Sequence, residues 1–129
     1  MTVRLVLDTS AMLAYVAADV RSVEVGELIA TVEENGDTTG VPVSCLLAAL
    51  ARVGSDERQK LFELTGVDGP ILLLPLLASD VPAIAGLGTG LPLDAAHAAA
   101  ARAEHDALLG TYDRAAYDGI VDPDDILDL

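Results

Sequence analysis

Three aspartates stand where a carboxylate has something to act on. Asp8 follows the apolar run Val3 to Leu7, Asp113 follows the run Leu108 to Thr111 by two residues, and Asp94 lies just inside the helix that Pro92 begins. An acid directly beyond a buried strand faces the sheet edge where α/β proteins bind ligands. An acid in a first helical turn faces free amide N–H groups and the positive end of the helix dipole. If the three meet, like charges crowd one cleft and call for a hard cation. An oxygen-only pocket with few protein ligands suits Mg²⁺ or Mn²⁺, which keep several waters and accept phosphate oxygens. The chemistry implied is phosphodiester hydrolysis, the ion lowering the pKa of a water and offsetting charge on the attacked phosphate. Asp8, Asp94 and Asp113 are thus both the candidate catalytic residues and the candidate metal ligands.

Smaller groups surround this trio in the sequence. Thr9, Ser10 and Thr111 have hydroxyls that can bond a carboxylate or a metal's water; equally, they can cap a helix and end a strand. Arg114 can neutralise a phosphate oxygen or form a surface ion pair with its neighbour. His97, one turn beyond Asp94, and His105 are read as packing or hydrogen-bonding residues rather than ligands.

The elements that must position these residues alternate. Val3 to Leu7 reads as a buried strand, followed by a helix capped by Thr9 or Ser10 and running through Ala17. Ser22 is the expected cap of a second helix carrying Val25, Leu28, Ile29 and Val32, stopped at Asn35-Gly36-Asp37. A strand is expected over Thr39 to Val43, then an apolar helix from Ser44 to Val53 and another from Ser55 bearing Leu61, Phe62 and Leu64. Ile71 to Leu74 is a further strand. Ser79 to Gly88 reads as helical with Pro82 in its first turn. A glycine-rich link leads to the alanine-dense helix from Pro92 to about His105, and Leu108 to Thr111 closes the pattern as a strand. A last strand lies near Gly119 to Val121 or Asp125 to Leu127. Parallel neighbours need helical crossovers, so this order predicts a three-layer α/β/α sandwich with a mostly parallel central sheet.

Composition agrees. The 129 residues are 52% apolar and 22% charged, as expected of one domain spanning 1–129 with its own core. Seven Lys and Arg against 21 Asp and Glu give a formal charge of −14, which disfavours nonspecific adhesion to nucleic acid or anionic membrane and makes any RNA contact local. Arg52, Arg58 and Lys60 are the only basic cluster and read as a solvated helix face. The single cysteine, Cys45, forms no internal disulfide and reads as a small core residue. With no bilayer-length apolar run and no basic-apolar-small leader pattern, the expectation is a cytoplasmic protein.

Asp8-Thr9-Ser10-Ala11, Leu93-Asp94-Ala95-Ala96-His97 and Thr111-Tyr112-Asp113-Arg114 resemble, in order and spacing, the acidic motifs of PIN-domain ribonucleases, especially VapC-type toxins. The resemblance covers nearly the whole chain. It implies Mg²⁺-dependent endonuclease action on RNA, a small antitoxin partner and pairing as a homodimer. One departure stands out: such proteins usually carry a glutamate in the helix matching Val43 to Leu50, and Ala49 occupies that position here. Glu57 or Glu63 could be proposed as a substitute, but nothing in the sequence places either near the rim. Two functions are therefore open, a toxin-type metal-dependent ribonuclease and a catalytically silent PIN-like binding or regulatory module. Phosphotransfer fits less well, since a haloacid-dehalogenase pattern needs an Asp where Ser10 stands and a receiver domain needs paired acids at the first strand.

Overall fold

The computed structural model describes residues 2–88 and 90–129; the glycine-rich link crosses Thr89, which lies outside them. Its strands are β1 (Val3–Leu7), β2 (Thr38–Pro42), β3 (Ile71–Leu74), β4 (Leu108–Thr111) and β5 (Ile126–Asp128). The helices are α1 (Thr9–Val16), α2 (Val20–Glu34), α3 (Val43–Leu50), α4 (Ser55–Thr65), α5 (Val81–Ala85) and α6 (Leu93–His105). All five strands are parallel, in the order β3-β2-β1-β4-β5. The sheet lies between helical layers as the α/β/α sandwich expected from the alternation. β1 is central, which is why Leu5, Val6 and Leu7 are all buried although they point to opposite faces.

Two helices begin differently from the sequence reading. α1 is capped by Asp8 rather than by Thr9 or Ser10: the Asp8 carboxylate accepts the Ala11 N–H at 3.2 Å. α2 is capped by Asp19, which accepts the Arg21 N–H at 2.9 Å. Ser22 lies inside that helix and donates instead to the Tyr15 carbonyl at 2.6 Å, tying α2 to the end of α1. In both cases an earlier carboxylate satisfies the free first-turn amides, and the hydroxyl is released for tertiary contacts. The Ser79 to Gly88 segment divides into a 3₁₀ turn, Ala78–Asp80, and the short α5, with Pro82 in its first turn. The last strand is the second alternative, since Ile126–Asp128 pairs with β4.

The alanines of α6 explain how that helix approaches the sheet. Ala98, Ala99 and Ala101 are buried, and their small side chains let the helix lie close against β1 and β2. At the other end, Asp106 closes α6 in the left-handed conformation, φ 50°, one of the few non-glycine types that tolerate it. Ala107 then leads directly into β4.

His97 fastens three elements together. It is buried, its Nε2–H donates to the Pro75 carbonyl at 3.2 Å beyond β3, and its Nδ1 accepts the Ser44 hydroxyl of α3 at 2.8 Å. A carbonyl can only accept, so Nε2 carries a proton, and in the neutral ring Nδ1 is the acceptor for Ser44. Burial holds its pKa below the ordinary 6.5, against the opposing pull of the Pro75 carbonyl, Asp80 and Glu104. Thr39, by contrast, has a buried hydroxyl with no hydrogen-bond partner among the described residues.

Two predictions follow from these residues. As pH falls below 6.5 the unfolded chain takes up a proton at residue 97 before the folded one does, so the stability contributed by the neutral ring is present above pH 6.5 and is lost toward the lowered folded value. Thermal melts between pH 7 and pH 5 are expected to fall more steeply for the wild type than for His97→Gln, whose amide has no such titration. Thr39→Val, which removes an unsatisfied hydroxyl at nearly constant shape, is expected to raise stability by about 1 kcal/mol, seen as a melt higher by a few degrees.

Candidate functional site

Asp8 leaves β1 at the carboxyl edge of the sheet, and its side chain turns inward, only 4% exposed. Four donors converge on it. Oδ1 accepts the Ser10 hydroxyl at 2.6 Å and the Ala11 N–H at 3.2 Å. Oδ2 accepts the Thr111 hydroxyl at 2.7 Å and the Tyr117 hydroxyl at 2.8 Å. The orientation of two of these hydroxyls is dictated by the chain around them. Ser10 Oγ accepts the Tyr112 N–H and Thr111 Oγ1 accepts the Asp113 N–H, each at 2.9 Å, so each hydroxyl proton is left to point at the carboxylate. Ser10 and Thr111, expected near the acids, are therefore in direct contact with one of them and lie 3.2 Å from each other.

Asp94 joins through the next residue. Thr9 Oγ1 donates to Asp94 Oδ2 at 2.6 Å, bridging the start of α1 to the first turn of α6. The Cys45 thiol donates to the Asp94 carbonyl at 3.2 Å, adding a contact from α3. Asp94 is half-buried and its Oδ1 accepts no hydrogen bond among the described residues. Asp113 is exposed, and among the described residues its carboxylate takes part in no hydrogen bond or ion pair; its tie to the cluster is the backbone N–H on Thr111. Arg114 does not pair with it. Among the described residues the guanidinium makes only a long 3.4 Å bond to the Pro123 carbonyl.

The remaining candidates separate cleanly. His97 is occupied by Ser44 and Pro75, and His105 is exposed at the end of α6. Ala49 is fully buried in the core, so α3 presents a methyl group where a carboxylate was expected from the resemblance. Neither nearby acid replaces it: Glu63 meets Gln59 on the exposed face of α4, and Glu57 sits over Gly54 at that helix's own start. Arg58 caps the last turn of α3 through the Leu50 carbonyl at 2.6 Å and lies over the Phe62 ring, so the basic cluster is partly structural. Burial pushes the Cys45 thiol up to about 12, with nearby Asp8 and Asp94 adding to the rise against the Thr9 hydrogen bonds, and the sulfur is inert as a nucleophile at neutral pH.

Tyr117 was not legible as a site residue. It follows Asp113 by four positions in a stretch with no periodicity, and only the 3₁₀ turn Arg114–Tyr117 swings its ring beneath Asp8. Burial, then the Asp8 charge and hydrogen bond, raise its pKa, so the phenol stays protonated and remains a donor. Tyr112 forms a second outer contact: its hydroxyl donates to Glu24 at 2.9 Å and Arg21 lies over its ring, 6.0 Å from the centroid.

The donor chemistry suits a hard divalent cation in a particular way. Among the described residues no three His, Cys, Asp or Glu side chains gather into a cage. Mg²⁺ does not require one, since it is commonly held by one or two carboxylates, water and substrate phosphate. Asp94 and Asp113, with oxygens left open, fit that kind of ligation.

A family model for the PIN domain matches residues 5–119. No curated protein matches the chain. PIN domains are in general nucleases that act on RNA and use divalent metals. Matched from Leu5 in β1 through β4 and the helices between them, the chain belongs to the PIN-domain family.

Proposed function

We propose that this protein is a metal-dependent endoribonuclease of toxin–antitoxin type, acting as one domain and hydrolysing RNA phosphodiester bonds at Asp8, Asp94 and Asp113. One observation carries the reading: residues 85 positions apart meet where the Thr9 hydroxyl bonds Asp94 at 2.6 Å, beside an Asp8 that shares the Thr111 hydroxyl with the approach to Asp113. Thr9 ties Asp94 to the helix start that Asp8 caps, and Thr111 ties Asp113 to the same Asp8 carboxylate, so acids from distant parts of the chain are linked at one sheet edge.

Asp94 and Asp113 would hold the ion, Mg²⁺ or Mn²⁺. When bound, it supplies positive charge opposite a phosphate oxygen and makes a water more acidic. The chain's own residues do the positioning. Thr9 holds Asp94 through Oδ2 and leaves Oδ1 without a hydrogen bond among the described residues. The backbone N–H of Asp113 on Thr111 sets where its carboxylate leaves the sheet. Arg114, next in sequence to Asp113 and weakly engaged, is available to a phosphate oxygen.

The partners follow from the surface. A chain of net charge −14 favours a basic antitoxin segment by complementarity, and the exposed row Leu76, Leu77 and Val81 is apolar surface that a partner or a second copy would cover. A buried, unpaired Cys45 suits a reducing cytoplasm. No helix among the described residues is long and apolar enough to cross a membrane.

Ala49 favours a second reading, a silent PIN module that binds without cleaving. Structured RNA incubated with purified protein and Mn²⁺ separates the two. Cleavage is expected, dependent on added metal and reduced by about 100-fold or more in Asp94→Asn and in Asp113→Asn. Cleavage unchanged in both variants would trace to a contaminant, and absence of both cleavage and Mn²⁺ uptake would select the silent module.

A further inference from the structure

The donors that meet the Asp8 carboxylate divide between its two oxygens. Oδ2 accepts the Thr111 and Tyr117 hydroxyls, and both bonds are buried. Oδ1 accepts the Ala11 N–H and the Ser10 hydroxyl, and the bond from Ser10 is only partly buried. Oδ2 is therefore the inner oxygen and Oδ1 the one nearer the open edge. Ala11, Ser10 and Thr111 have a second reason to be where they are: Ala11 belongs to the first turn of α1, and the two hydroxyls accept the N–H groups of Tyr112 and Asp113. Tyr117 has none. Its hydroxyl makes no other hydrogen bond among the described residues, and a phenylalanine would fill the same place in the core, so the phenol oxygen serves Asp8 alone.

The same side chain bears on Asp113. The 3₁₀ turn Arg114–Tyr117 starts from Asp113, whose carbonyl accepts the Ala116 N–H at 3.2 Å. The chain from Thr111 to Tyr117 thus closes a ring on one oxygen: Asp8 Oδ2 holds Thr111 at one end and Tyr117 at the other. Asp113 lies between them, its N–H on Thr111 and its carbonyl in the turn.

We infer that Tyr117 is a positioning residue of the acidic site: through its hydroxyl on the inner oxygen it fixes the plane of the Asp8 carboxylate and closes the ring from which Asp113 leaves the sheet edge. The inference rests on the reading of Asp8, Asp94 and Asp113 as a metal-dependent site. Without the hydroxyl, Oδ2 keeps one donor of two and the carboxylate can turn toward the others, while the segment carrying Asp113 loses its tie to Asp8 at the Tyr117 end. Two acids that must then be ordered when a cation binds hold it less tightly than two that are already in place.

Tyr117→Phe isolates the oxygen. Mn²⁺ affinity, read by the EPR signal of the free ion, and thermal melts are measured for the wild type, Tyr117→Phe, Asp94→Asn and Ile29→Val. The last is a core change in α2, which carries none of the three acids, and lowers the melt by a comparable amount. Expected for Tyr117→Phe is Mn²⁺ affinity about tenfold below wild type with a melt lower by a few degrees, whereas Ile29→Val loses a few degrees and stays within about twofold in affinity. Affinity of Tyr117→Phe within about twofold of wild type makes the hydroxyl a structural bond only and overturns the assignment, whatever its melt; so does an equal loss of affinity in Ile29→Val, which would trace to stability alone. Should Tyr117→Phe fail to fold, the comparison is made in the Thr39→Val background with the same limits. Affinity lost in Asp94→Asn but kept in Tyr117→Phe removes the positioning role and leaves the metal-dependent reading standing. A wild type that takes up no Mn²⁺ overturns both.

Discussion

A carboxylate shut away from water is costly unless hydrogen bonds replace its hydration, and the buried Asp8 has a full set. That requirement organises the surrounding chain. The Ala11 N–H can reach Oδ1 only if α1 starts immediately after β1. The Thr111 hydroxyl can reach Oδ2 only if β4 lies beside β1 and ends level with it, as the pairing of Leu7 with Gly110 ensures. The Tyr117 hydroxyl arrives only if the chain beyond β4 turns back at once. Satisfying one charge thus fixes a strand end, a helix start, a neighbouring strand end and a turn.

The same geometry determines what the outer acids can do. Thr9 is the first residue of α1, so the direction of its hydroxyl follows from the cap that Asp8 makes, and Asp94 is bound to that hydroxyl. Asp113 hangs from Thr111 by its own N–H, and Thr111 is held by Asp8. Both acids are therefore registered to a single buried group although they come from distant parts of the sequence. Rigidity is placed inside and open lone pairs outside, the arrangement expected of a site whose ligands must be pre-organised without being consumed by the protein's own hydrogen bonds.

The sequence made much of this readable because the strong signals are local. Apolar runs end at Asp8 and just before Asp113, and Pro92 announces the helix that carries Asp94, so the placement of all three acids at one edge follows from alternation of strands and helices. The caps were harder. Asp8 and Asp19 lie outside the apolar periodicity, and Ser10 and Ser22 looked equally competent until the carboxylates took the free amides. The choice between two last strands depended on pairing with β4, which no local pattern encodes. Tyr117 depended on a turn without periodicity, and the burial that makes its hydroxyl a donor to Asp8 arises only in three dimensions.

Ala49 gives this arrangement its particular character. Ala49 is a fully buried methyl in the core, so α3 adds no charge at that position to a chain already at −14. With fewer fixed carboxylates, less positive charge is needed to balance the edge before an anionic substrate can approach. On the proposed ribonuclease reading, a cation held by two open acids and water would be weakly bound without substrate, and phosphate oxygens would complete its coordination. Occupancy of such a site would then rise when RNA is present, by the reciprocity that any pair of linked ligands must obey. On that reading an α3 without an acid would shift part of the ligation from protein to substrate, while Thr9 and Thr111 hold Asp94 and the approach to Asp113 in position.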